Sequence, residues 1–400
     1  MSLLVPAFLA AAVCYSLCIP RWQNSDEPFH YFYVKRILYE GRLPTREETY
    51  EAAHPPLYYA AAAAWALPFR GRDAGFLDNW IRLLSALFGA VSVYFLYRMG
   101  RDGLGAPWLG AGMAAAAAVN PMFVATSAVV SNDAGVICAG TVAIYVMLVL
   151  TRGGGGARAA AACGLAAGVS CLFKITANFL PPFFAFFYLF HPDNRGRGWK
   201  RLALELALFL LVFSAVAGWW YVLGWSRIGE RTLFNKLENA PPHPLYSPSN
   251  FAWFLKTLML NLWLTNDYLR GEPAGLPLSL KAFYFALSGA AVLLMGAAPV
   301  VVRRGTDPLR RHLVLSFLFC VGLFLGQQAA INMRFPTAQA RYMFPMYGPV
   351  SALALIPLAS VLGERFVRFV PAFSAVGFVL HAVWVFAYLV PLPGPPFVIS

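Results

Sequence analysis

The sequence predicts an all-α polytopic membrane protein with about eleven transmembrane helices. Of its 400 residues, 59% are hydrophobic and only 12% are charged, whereas a soluble domain carries about 25% charged residues. Its apolar runs recur at a length of roughly 20 residues, which is what a helix needs to cross a bilayer core of about 30 Å. Within such runs only helices satisfy every backbone polar group, so the spans are predicted to be helical.

The spans follow one another along the chain, with no internal repeat and no second soluble domain. Residues 1–400 are therefore predicted to form a single transmembrane domain. Lys174 and the pair Pro181-Pro182 interrupt the fifth and sixth spans. The predicted boundaries are 2–20, 79–99, 107–126, 134–150, 158–174, 177–190, 202–224, 281–302, 312–330, 343–362 and 369–390.

Short basic loops alternate with longer polar segments, and this alternation predicts the topology. Five short loops together hold 14 Lys and Arg residues and four acidic residues. Because short loops rich in Lys and Arg stay in the cytoplasm, all five are placed there, and the N-terminus is placed on the same side. These loops are residues 98–102, 151–158, 193–201, 303–311 and 363–368.

Two long segments, residues 21–78 and 225–280, therefore face the other side of the membrane. They hold nearly all the unusual polar residues of the chain. This one-sided distribution predicts an active site on the periplasmic or extracellular face. The segment 225–280 is long for a loop without a domain fold, and such loops are usually functional or mobile. We expect it to cover an acceptor site.

Composition disfavours two functional classes. A net charge of +13 would suggest nucleic-acid binding in a soluble protein. Here the basic residues lie mostly in short loops, where topology and lipid headgroups explain them, so no nucleic acid is expected as a partner. The six cysteines fall in or beside apolar runs and form no CxxC or Cys/His cluster, so a thiolate zinc site is not expected.

The first outer segment opens with two adjacent carboxylates, Asp26 and Glu27, directly after an apolar span. Ser25 and Pro28 are typical of a helix start, and Gly41 is typical of a helix end. The pattern predicts an interfacial helix that lies along the membrane surface. Asp26 alone could be a helix cap. Ionised groups beside hydrocarbon are costly, however, and tend to be functional.

Further polar side chains lie on the same predicted side. His30 follows the carboxylate pair, His54 precedes a second interfacial or re-entrant helix within residues 51–69, and Asp133 begins the fourth span. His54 alone is more often a structural hydrogen-bonding residue, and Asp133 alone could be a helix cap. Their common side of the membrane predicts supporting roles for all three.

Two cationic residues are predicted at the outer ends of spans, Lys174 in the fifth and Arg341 at the start of the tenth. Each could simply extend its charged group to the interface. Alternatively, the pair holds a phosphate at the membrane surface, because Arg binds phosphate in bidentate geometry and Lys binds it as a point charge. Tyr342, next to Arg341, would then donate a further hydrogen bond.

Together these motifs resemble the GT-C superfamily of integral-membrane glycosyltransferases. The resemblance rests on NSDEPFHYFYVKRILYEGRLP, on EAAHPPLYY, on Asp133 and on ARYMFP. It is strongest to the bacterial branch that uses polyprenyl-phosphate sugars and is related to protein O-mannosyltransferases and aminoarabinose transferases. It covers about residues 1–190 and the ARYMFP segment.

The resemblance implies a fold of many helices with juxtamembrane helices in the first outer segment. It also implies a lipid-phosphate sugar donor that enters from the membrane, and a location in the bacterial inner membrane. Within the family pattern Asp26 corresponds to the base, Asp133 to a second outer acidic residue, and residues 55–57 to a Pro-Pro-Leu stretch. The chain departs from some relatives because it is short and lacks their sizeable C-terminal soluble domain.

The residues themselves favour the same chemistry. Sugar transfer from a prenyl phosphate needs a base for the proton of the acceptor and positive charge on the departing phosphate. Asp26, with Glu27 beside it, would supply the first, and Lys174 with Arg341 the second. Alternatively, Asp26 and Asp133 could be oxygen ligands of Mg or Mn, or could act as the two carboxylates of a double displacement.

The leading hypothesis is a glycosyltransferase that moves a sugar from a polyprenyl-phosphate donor to a hydroxyl of a glycan, lipid or protein acceptor. A transporter or flippase of lipid-linked glycans is the alternative. Transporters usually place ionisable sites near the bilayer midplane, and here the mid-span positions are nearly all apolar. A structural subunit without chemistry is a third possibility, which predicts that the outer polar residues scatter rather than converge.

Overall fold

A computed structural model of the chain describes its helices and the loops that join them. It describes residues 3–363 apart from 19–20, 23–25, 228–246, 264–277, 304, 306 and 333–338, and beyond residue 363 only 365, 368–369, 372 and 376–377. The described ranges contain fifteen α-helices and no strand. The prediction of an all-α chain is confirmed.

The helices are numbered in chain order. They are α1 (Leu4–Cys18), α2 (Glu27–Glu40), α3 (Leu57–Ala66), α4 (Ala74–Arg98), α5 (Pro107–Ala118), α6 (Pro121–Thr126), α7 (Asn132–Leu150), α8 (Ala157–Phe173), α9 (Leu180–Leu189), α10 (Trp199–Phe213), α11 (Trp219–Arg227), α12 (Pro248–Asn261), α13 (Leu278–Arg303), α14 (Pro308–Asn332) and α15 (Tyr347–Leu362). Three 3₁₀ segments also matter for the site, namely Tyr50–Ala53, Ile175–Phe179 and Ala340–Met346.

Six helical segments in the described part of the chain are long and apolar enough to cross a membrane. The predicted membrane fold is therefore confirmed, but the predicted number of eleven spans is not. The six segments are Ala74–Gly103, Asn132–Leu150, Trp199–Gly224, Lys281–Arg303, Pro308–Asn332 and Ala340–Leu362. The predicted span 369–390 lies almost entirely outside the described residues.

The predicted span 107–126 is wrong as one continuous helix, because it divides into α5 and α6. Asn120 adopts an extended backbone between them, and its Oδ1 accepts a hydrogen bond from the backbone N–H of Phe123 at 3.0 Å. This contact caps α6, and Pro121 suits its first turn. Lys174 likewise interrupts the chain in an extended conformation after α8, as the sequence suggests.

Three of the predicted basic loops meet at one end of the helix bundle. The Arg152 guanidinium donates to the carbonyl oxygen of Gly103 at 3.0 Å. The backbone N–H of Gly153 donates to Asp193 at 2.9 Å. Since α4 leads from the first outer segment to the loop 98–102, which Gly103 directly follows, the first outer segment lies at the opposite end of the bundle.

The first outer segment forms two helices, as predicted, and covers that opposite end. The helix α2 has Pro28 in its first turn and ends at Gly41, whose φ of +66° favours glycine. The predicted cap Ser25 lies outside the described residues. The helix α3 has only ten residues, too few to span, and contacts α4, α7 and α8. It thereby fixes the segment onto the bundle.

The second long segment, residues 225–280, is described only in part. The helix α12, Pro248–Asn261, corresponds to an apolar run in the sequence and contacts the Ala340–Met346 segment. Residues 228–246 and 264–277 lie outside the described residues. The expectation that this segment covers an acceptor site stays a prediction.

Candidate active site

Asp26 lies at the start of α2, but its side chain does not cap the helix. Its Oδ2 lies 3.1 Å from Nη2 of Arg341, and its Oδ1 accepts a hydrogen bond from the Tyr50 hydroxyl at 2.9 Å. The alternative that Asp26 is only a helix cap is therefore wrong. The carboxylate faces partners from two distant parts of the chain and is 31% exposed, so it is accessible to an incoming hydroxyl.

Asp133 lies in the first turn of α7 and is not the cap of that helix either. Ser131 is the cap, since its hydroxyl oxygen accepts the backbone N–H of Asp133 at 3.2 Å. Instead, Oδ1 of Asp133 accepts a hydrogen bond from Nζ of Lys174 at 2.6 Å, and Oδ2 of Asp133 lies 3.3 Å from Nε of Arg341. Asp133 is therefore held between two cations.

Two glycines in α7 allow the cation-bearing segments to approach this closely. A Cβ added at Gly135 would overlap the ring of Phe173, the residue before Lys174. A Cβ added at Gly140 would lie 2.8 Å from the Pro345 side chain, in the Ala340–Met346 segment. Because real Cβ contacts are longer than this, both positions need glycine. The α7 surface thus brings Lys174 and Arg341 to Asp133.

Lys174 and Arg341 are buried, with side chains 7% and 3% exposed. The alternative that they merely extend to the interface is therefore wrong. The Lys174 ammonium also lies 4.9 Å from the ring centroid of Tyr342, a cation–π distance. Tyr342 thus contacts the cationic pair through its ring. The two cations and the carboxylates of Asp26 and Asp133 form one continuous network.

The surroundings of Asp26 keep its carboxylate ionised. Burial opposes ionisation, but Arg341 and then His30 outweigh it and hold the pKa of Asp26 below its ordinary value. Burial, with Asp26 beside it, raises the pKa of Tyr50 well above its ordinary value. Tyr50 therefore keeps its proton and donates it in the hydrogen bond to Asp26. A carboxylate held in this state can accept a proton.

Glu51 is the functional candidate that the sequence does not single out. It is buried in the Tyr50–Ala53 segment, and its Oε2 lies 3.0 Å from Nε2 of His54 and 3.4 Å from Nδ1 of His30. Burial raises its pKa, but His30 and His54 outweigh this effect and hold the pKa of Glu51 below its ordinary value. A local signal existed, since Thr49 caps this short turn, but nothing in the sequence shows that the turn folds back onto α2.

The two predicted supporting histidines therefore contact Glu51 rather than Lys174 or Arg341. Nδ1 of His30 also lies 2.8 Å from the Tyr59 hydroxyl, and Asn132, next to Asp133, donates to that hydroxyl at 3.3 Å. Burial lowers the pKa of His30 below its ordinary value, and the neighbouring carboxylates of Glu51 and Asp26 oppose this effect. The histidines link α2 and α3 to the start of α7 and thereby position the site.

Glu27 occupies a different environment from Asp26, although the two are adjacent in sequence. It is 0% exposed and forms a bidentate ion pair with Arg82 of α4, at 2.8 and 2.7 Å. Its Oε1 also accepts the backbone N–H of Val130 at 2.9 Å. These partners join α2 to α4 and to the α6–α7 loop. This geometry favours a structural role for Glu27 over the predicted catalytic one.

Replacing Arg82 is expected to destabilise the protein strongly. The Arg82→Met variant leaves the Glu27 carboxylate buried together with Asp78, which lies 3.3 Å from Arg82. Removing one partner of a buried ion pair costs about 3–5 kcal/mol. Thermal unfolding in detergent measures the loss. The control is Arg310→Met, in an exposed ion pair with Asp307, where little change is expected. Equal shifts in both variants would refute the structural role.

The residues at Asp26 and Asp133 do not fit Mg or Mn as they stand. Arg341 already lies between the two carboxylates, so a divalent cation there would meet an existing positive charge. Within the described residues, no group of three or more His, Cys, Asp or Glu side chains is placed to hold a metal ion. The metal alternative gains no support from this geometry, and the chemistry proposed for the site uses the two cationic side chains.

The central part of the chain, residues 53–220, matches the model of the dolichyl-phosphate-mannose-protein mannosyltransferase family. The matched residues include His54, Asp133 and Lys174. No match was found among curated proteins.

Several solved structures resemble the chain along most of its length. One is the archaeal oligosaccharyltransferase AglB from Archaeoglobus fulgidus in complex with an inhibitory peptide and a dolichol-phosphate, at 13% identity and a TM-score of 0.57, covering 98% of this chain and 56% of that one. An oligosaccharyltransferase from Archaeoglobus fulgidus in complex with zinc and sulfate has 13% identity, a TM-score of 0.55 and coverages of 98% and 54%. ArnT from Cupriavidus metallidurans bound to undecaprenyl phosphate has 17% identity, a TM-score of 0.47 and coverages of 91% and 77%.

The chain spans about half the length of the archaeal oligosaccharyltransferase that it resembles. At 13% identity the similarity shows a shared helical fold, of the GT-C type. Together with the family match over residues 53–220, it confirms the resemblance to the GT-C superfamily predicted from the sequence.

Proposed function

We propose that this multi-span membrane protein, a GT-C-type chain, transfers a sugar from a polyprenyl-phosphate carrier to an acceptor hydroxyl. The observation that carries the proposal is the position of Arg341. It contacts Asp26 at 3.1 Å and Asp133 at 3.3 Å, while Lys174 contacts Asp133 at 2.6 Å. A carboxylate suited to act as the base and two cations suited to bind a phosphate thus lie in one network, which supports this reaction.

The reaction is a displacement at the anomeric carbon of the sugar. The acceptor oxygen forms a bond to that carbon, and the bond from the carbon to the phosphate oxygen breaks with its electron pair. The polyprenyl phosphate leaves, and the Arg341 and Lys174 charges stabilise the negative charge that develops on it. The Asp26 carboxylate accepts the proton of the acceptor hydroxyl. Tyr50 orients the carboxylate through its hydrogen bond.

The Arg341 guanidinium cannot make its full set of contacts with the Asp26 carboxylate and with the donor phosphate at the same time. In the structure its Nη2 contacts the Asp26 carboxylate. A phosphate that binds Arg341 in bidentate geometry would replace this contact. Release from Arg341 makes the Asp26 carboxylate a stronger base, because an opposite charge nearby lowers a carboxyl pKa. Binding of the donor phosphate would therefore activate the base.

The similar proteins support a lipid-phosphate donor. The matching family is named for dolichyl-phosphate-mannose, and the oligosaccharyltransferase structure contains a dolichol-phosphate. The acceptor is proposed to be a hydroxyl of a glycan, lipid or protein. The basic loops lie at the opposite end of the bundle from Asp26, which supports a periplasmic or extracellular active site in a bacterial inner membrane, with the N-terminus in the cytoplasm.

Purified protein tests the proposal directly. It is incubated with polyprenyl-phosphate sugars and with glycan, lipid and peptide acceptors that carry free hydroxyls, with and without a chelator, and products are identified by mass spectrometry. We expect transfer of at least one sugar, with equal rates in the chelator. Flipping of the donor across liposomes without any transfer would contradict the proposal and would favour the transport alternative.

The pH dependence of transfer tests whether the donor phosphate replaces Asp26 at Arg341, which is called the exchange below. Activity is expected to fall as the pH drops through the pKa of Asp26, since a protonated carboxyl cannot accept a proton. In the free enzyme Arg341 lowers this pKa. In the donor complex the phosphate shares Arg341, so the pKa of Asp26 rises. The acid limb of kcat should therefore lie at a higher pH than that of kcat/KM.

Both profiles are also measured with a His54→Gln variant, which removes a histidine that contacts Glu51. The separation of the two limbs should persist there. The exchange would be contradicted if the acid limb of kcat lay at the same pH as the acid limb of kcat/KM, or at a lower pH.

A further inference from the structure

Gln328 is a buried amide whose polar atoms have no hydrogen-bond partner among the described residues. It lies near the end of α14 and is 0% exposed, and both its Oε1 and its Nε2 are unpaired within that part of the chain. A buried polar group left in this state is costly, and native proteins rarely contain one without a reason such as a bound water or ligand. Gln328 offers one donor group and one acceptor group to such a partner.

The packing of α14 brings Gln328 to the level of the proposed donor site. Cys320, Phe324 and Gln328 follow one another at four-residue spacing on a buried stripe, and Sγ of Cys320 lies 3.8 Å from Sδ of Met346. Gln328 is about 12 Å further along α14 than Cys320. Arg341 lies about 10 Å from Met346 in the same direction, because the Ala340–Met346 segment runs antiparallel to α14. Gln328 and Arg341 therefore lie at a similar depth.

The same level contains other buried polar atoms without partners. Within the part of the chain that the structure describes, Oγ1 of Thr176 and Oδ1 of Asn132 each lack a hydrogen-bond partner. Thr176 is two residues after Lys174, and Asn132 immediately precedes Asp133. The 3₁₀ segment Ile175–Phe179 contacts both α14 and α7. Unsatisfied neutral groups therefore come from three neighbouring elements, and α14 and α7 also contact the Ala340–Met346 segment that contains Arg341.

We infer that Gln328, with Thr176 and Asn132, binds the hydroxyl groups of the sugar that is transferred. The inference rests on the proposed function. A sugar ring presents several groups that both donate and accept hydrogen bonds, and these match a free amide, a free hydroxyl and a free amide oxygen. The three side chains are uncharged, so they suit a neutral, hydroxyl-rich sugar rather than an amino sugar or a uronic acid. Gln328 thus determines specificity for the sugar, while Arg341 and Lys174 bind the phosphate.

Binding measurements with two kinds of carrier separate these roles. The probes are bare polyprenyl phosphate and polyprenyl phosphates that carry mannose, glucose, galactose or glucosamine. The wild-type protein should bind at least one neutral sugar carrier more tightly than the bare carrier. Gln328→Met should reduce this preference roughly tenfold or more, because it removes the hydrogen bonds to the sugar. Its affinity for the bare carrier should not change.

The control is Gln327→Met, the same substitution at the neighbouring, partly exposed position, which should leave the preference intact. Stability gives a second readout. Because Gln328→Met removes an unsatisfied buried amide, the unliganded variant should melt at the same or a higher temperature than the wild type.

Three results would overturn the inference. They are an unchanged preference in Gln328→Met, a wild-type protein that binds no sugar carrier better than the bare one, or a preference for the glucosamine carrier over every neutral one. Failure to bind even the bare carrier would instead contradict the proposed function, so the two failures are distinguishable.

Discussion

Asp26→Asn is expected to reduce sugar transfer by roughly 10²- to 10⁴-fold, the usual contribution of a general base. The amide keeps the size of the side chain and can still accept the Tyr50 hydrogen bond, but it cannot take a proton from the acceptor. The loss should appear in kcat. Initial rates with a polyprenyl-phosphate sugar at saturating donor measure it.

The matched control for this variant is Asp307→Asn at the far end of the bundle. Asp307 accepts the backbone N–H of Leu309 at 2.9 Å, and Asn performs this capping equally well. This variant should retain full activity. Full transfer by Asp26→Asn would show that another group is the base, and Glu51 would be the first to test.

Arg341→Ala is expected to lower transfer by about 10²- to 10³-fold, because it removes positive charge from the departing phosphate. It should also weaken binding of the donor, since Arg341 is the guanidinium at the site. The Arg341→Lys variant restores the charge but not the geometry that contacts Asp26 and Asp133 together, so only partial recovery is expected. Rates and donor affinities are measured for both variants.

Arg36→Ala is the control for the loss of a guanidinium from this side of the protein. Arg36 lies on α2 in an ion-pair network with Glu40 and Glu48, away from Asp133. Its removal should leave transfer nearly unchanged. Arg341→Ala is expected to fold, because Lys174 still neutralises Asp133. A melting temperature close to that of the wild type would confirm this. Normal transfer by folded Arg341→Ala would contradict the assigned role.

Much of the site could be predicted because the sequence assigns its members to one side of the membrane. The alternation of basic loops places Asp26, Asp133, Lys174 and Arg341 on the same face. Each is also a charged residue beside apolar sequence, where charge is costly and therefore informative. The structure joins these four residues in one network. This convergence contradicts the hypothesis of a structural subunit with scattered polar residues.

The roles of two adjacent carboxylates could not be separated from the sequence. Asp26 and Glu27 differ by one position, but a turn of about 100° along a helix directs them to different neighbours. Glu27 meets Arg82, 55 residues away in the chain, and this pairing depends on how α2 packs against α4. Sequence spacing contains no information about such a contact.

Other features depend on tertiary packing alone. Glu51 becomes notable only because its short turn brings it to His30 of α2. Gln328 looks like an ordinary polar residue in an apolar helix, and only its burial without a partner distinguishes it. The break between α5 and α6 had a local signal, the Asn120-Pro121 pair, but the hydropathy of the surrounding residues obscured it.

The sharing of Arg341 between Asp26 and the donor phosphate is tested most directly by the affinity for bare polyprenyl phosphate. It is measured for the wild type, Asp26→Asn and Arg341→Ala, for example by native mass spectrometry. We expect Asp26→Asn to bind the lipid phosphate at least as tightly as the wild type, because the competing carboxylate has gone, and Arg341→Ala to bind it more weakly. Weaker binding by Asp26→Asn together with unchanged binding by Arg341→Ala would contradict the assignment.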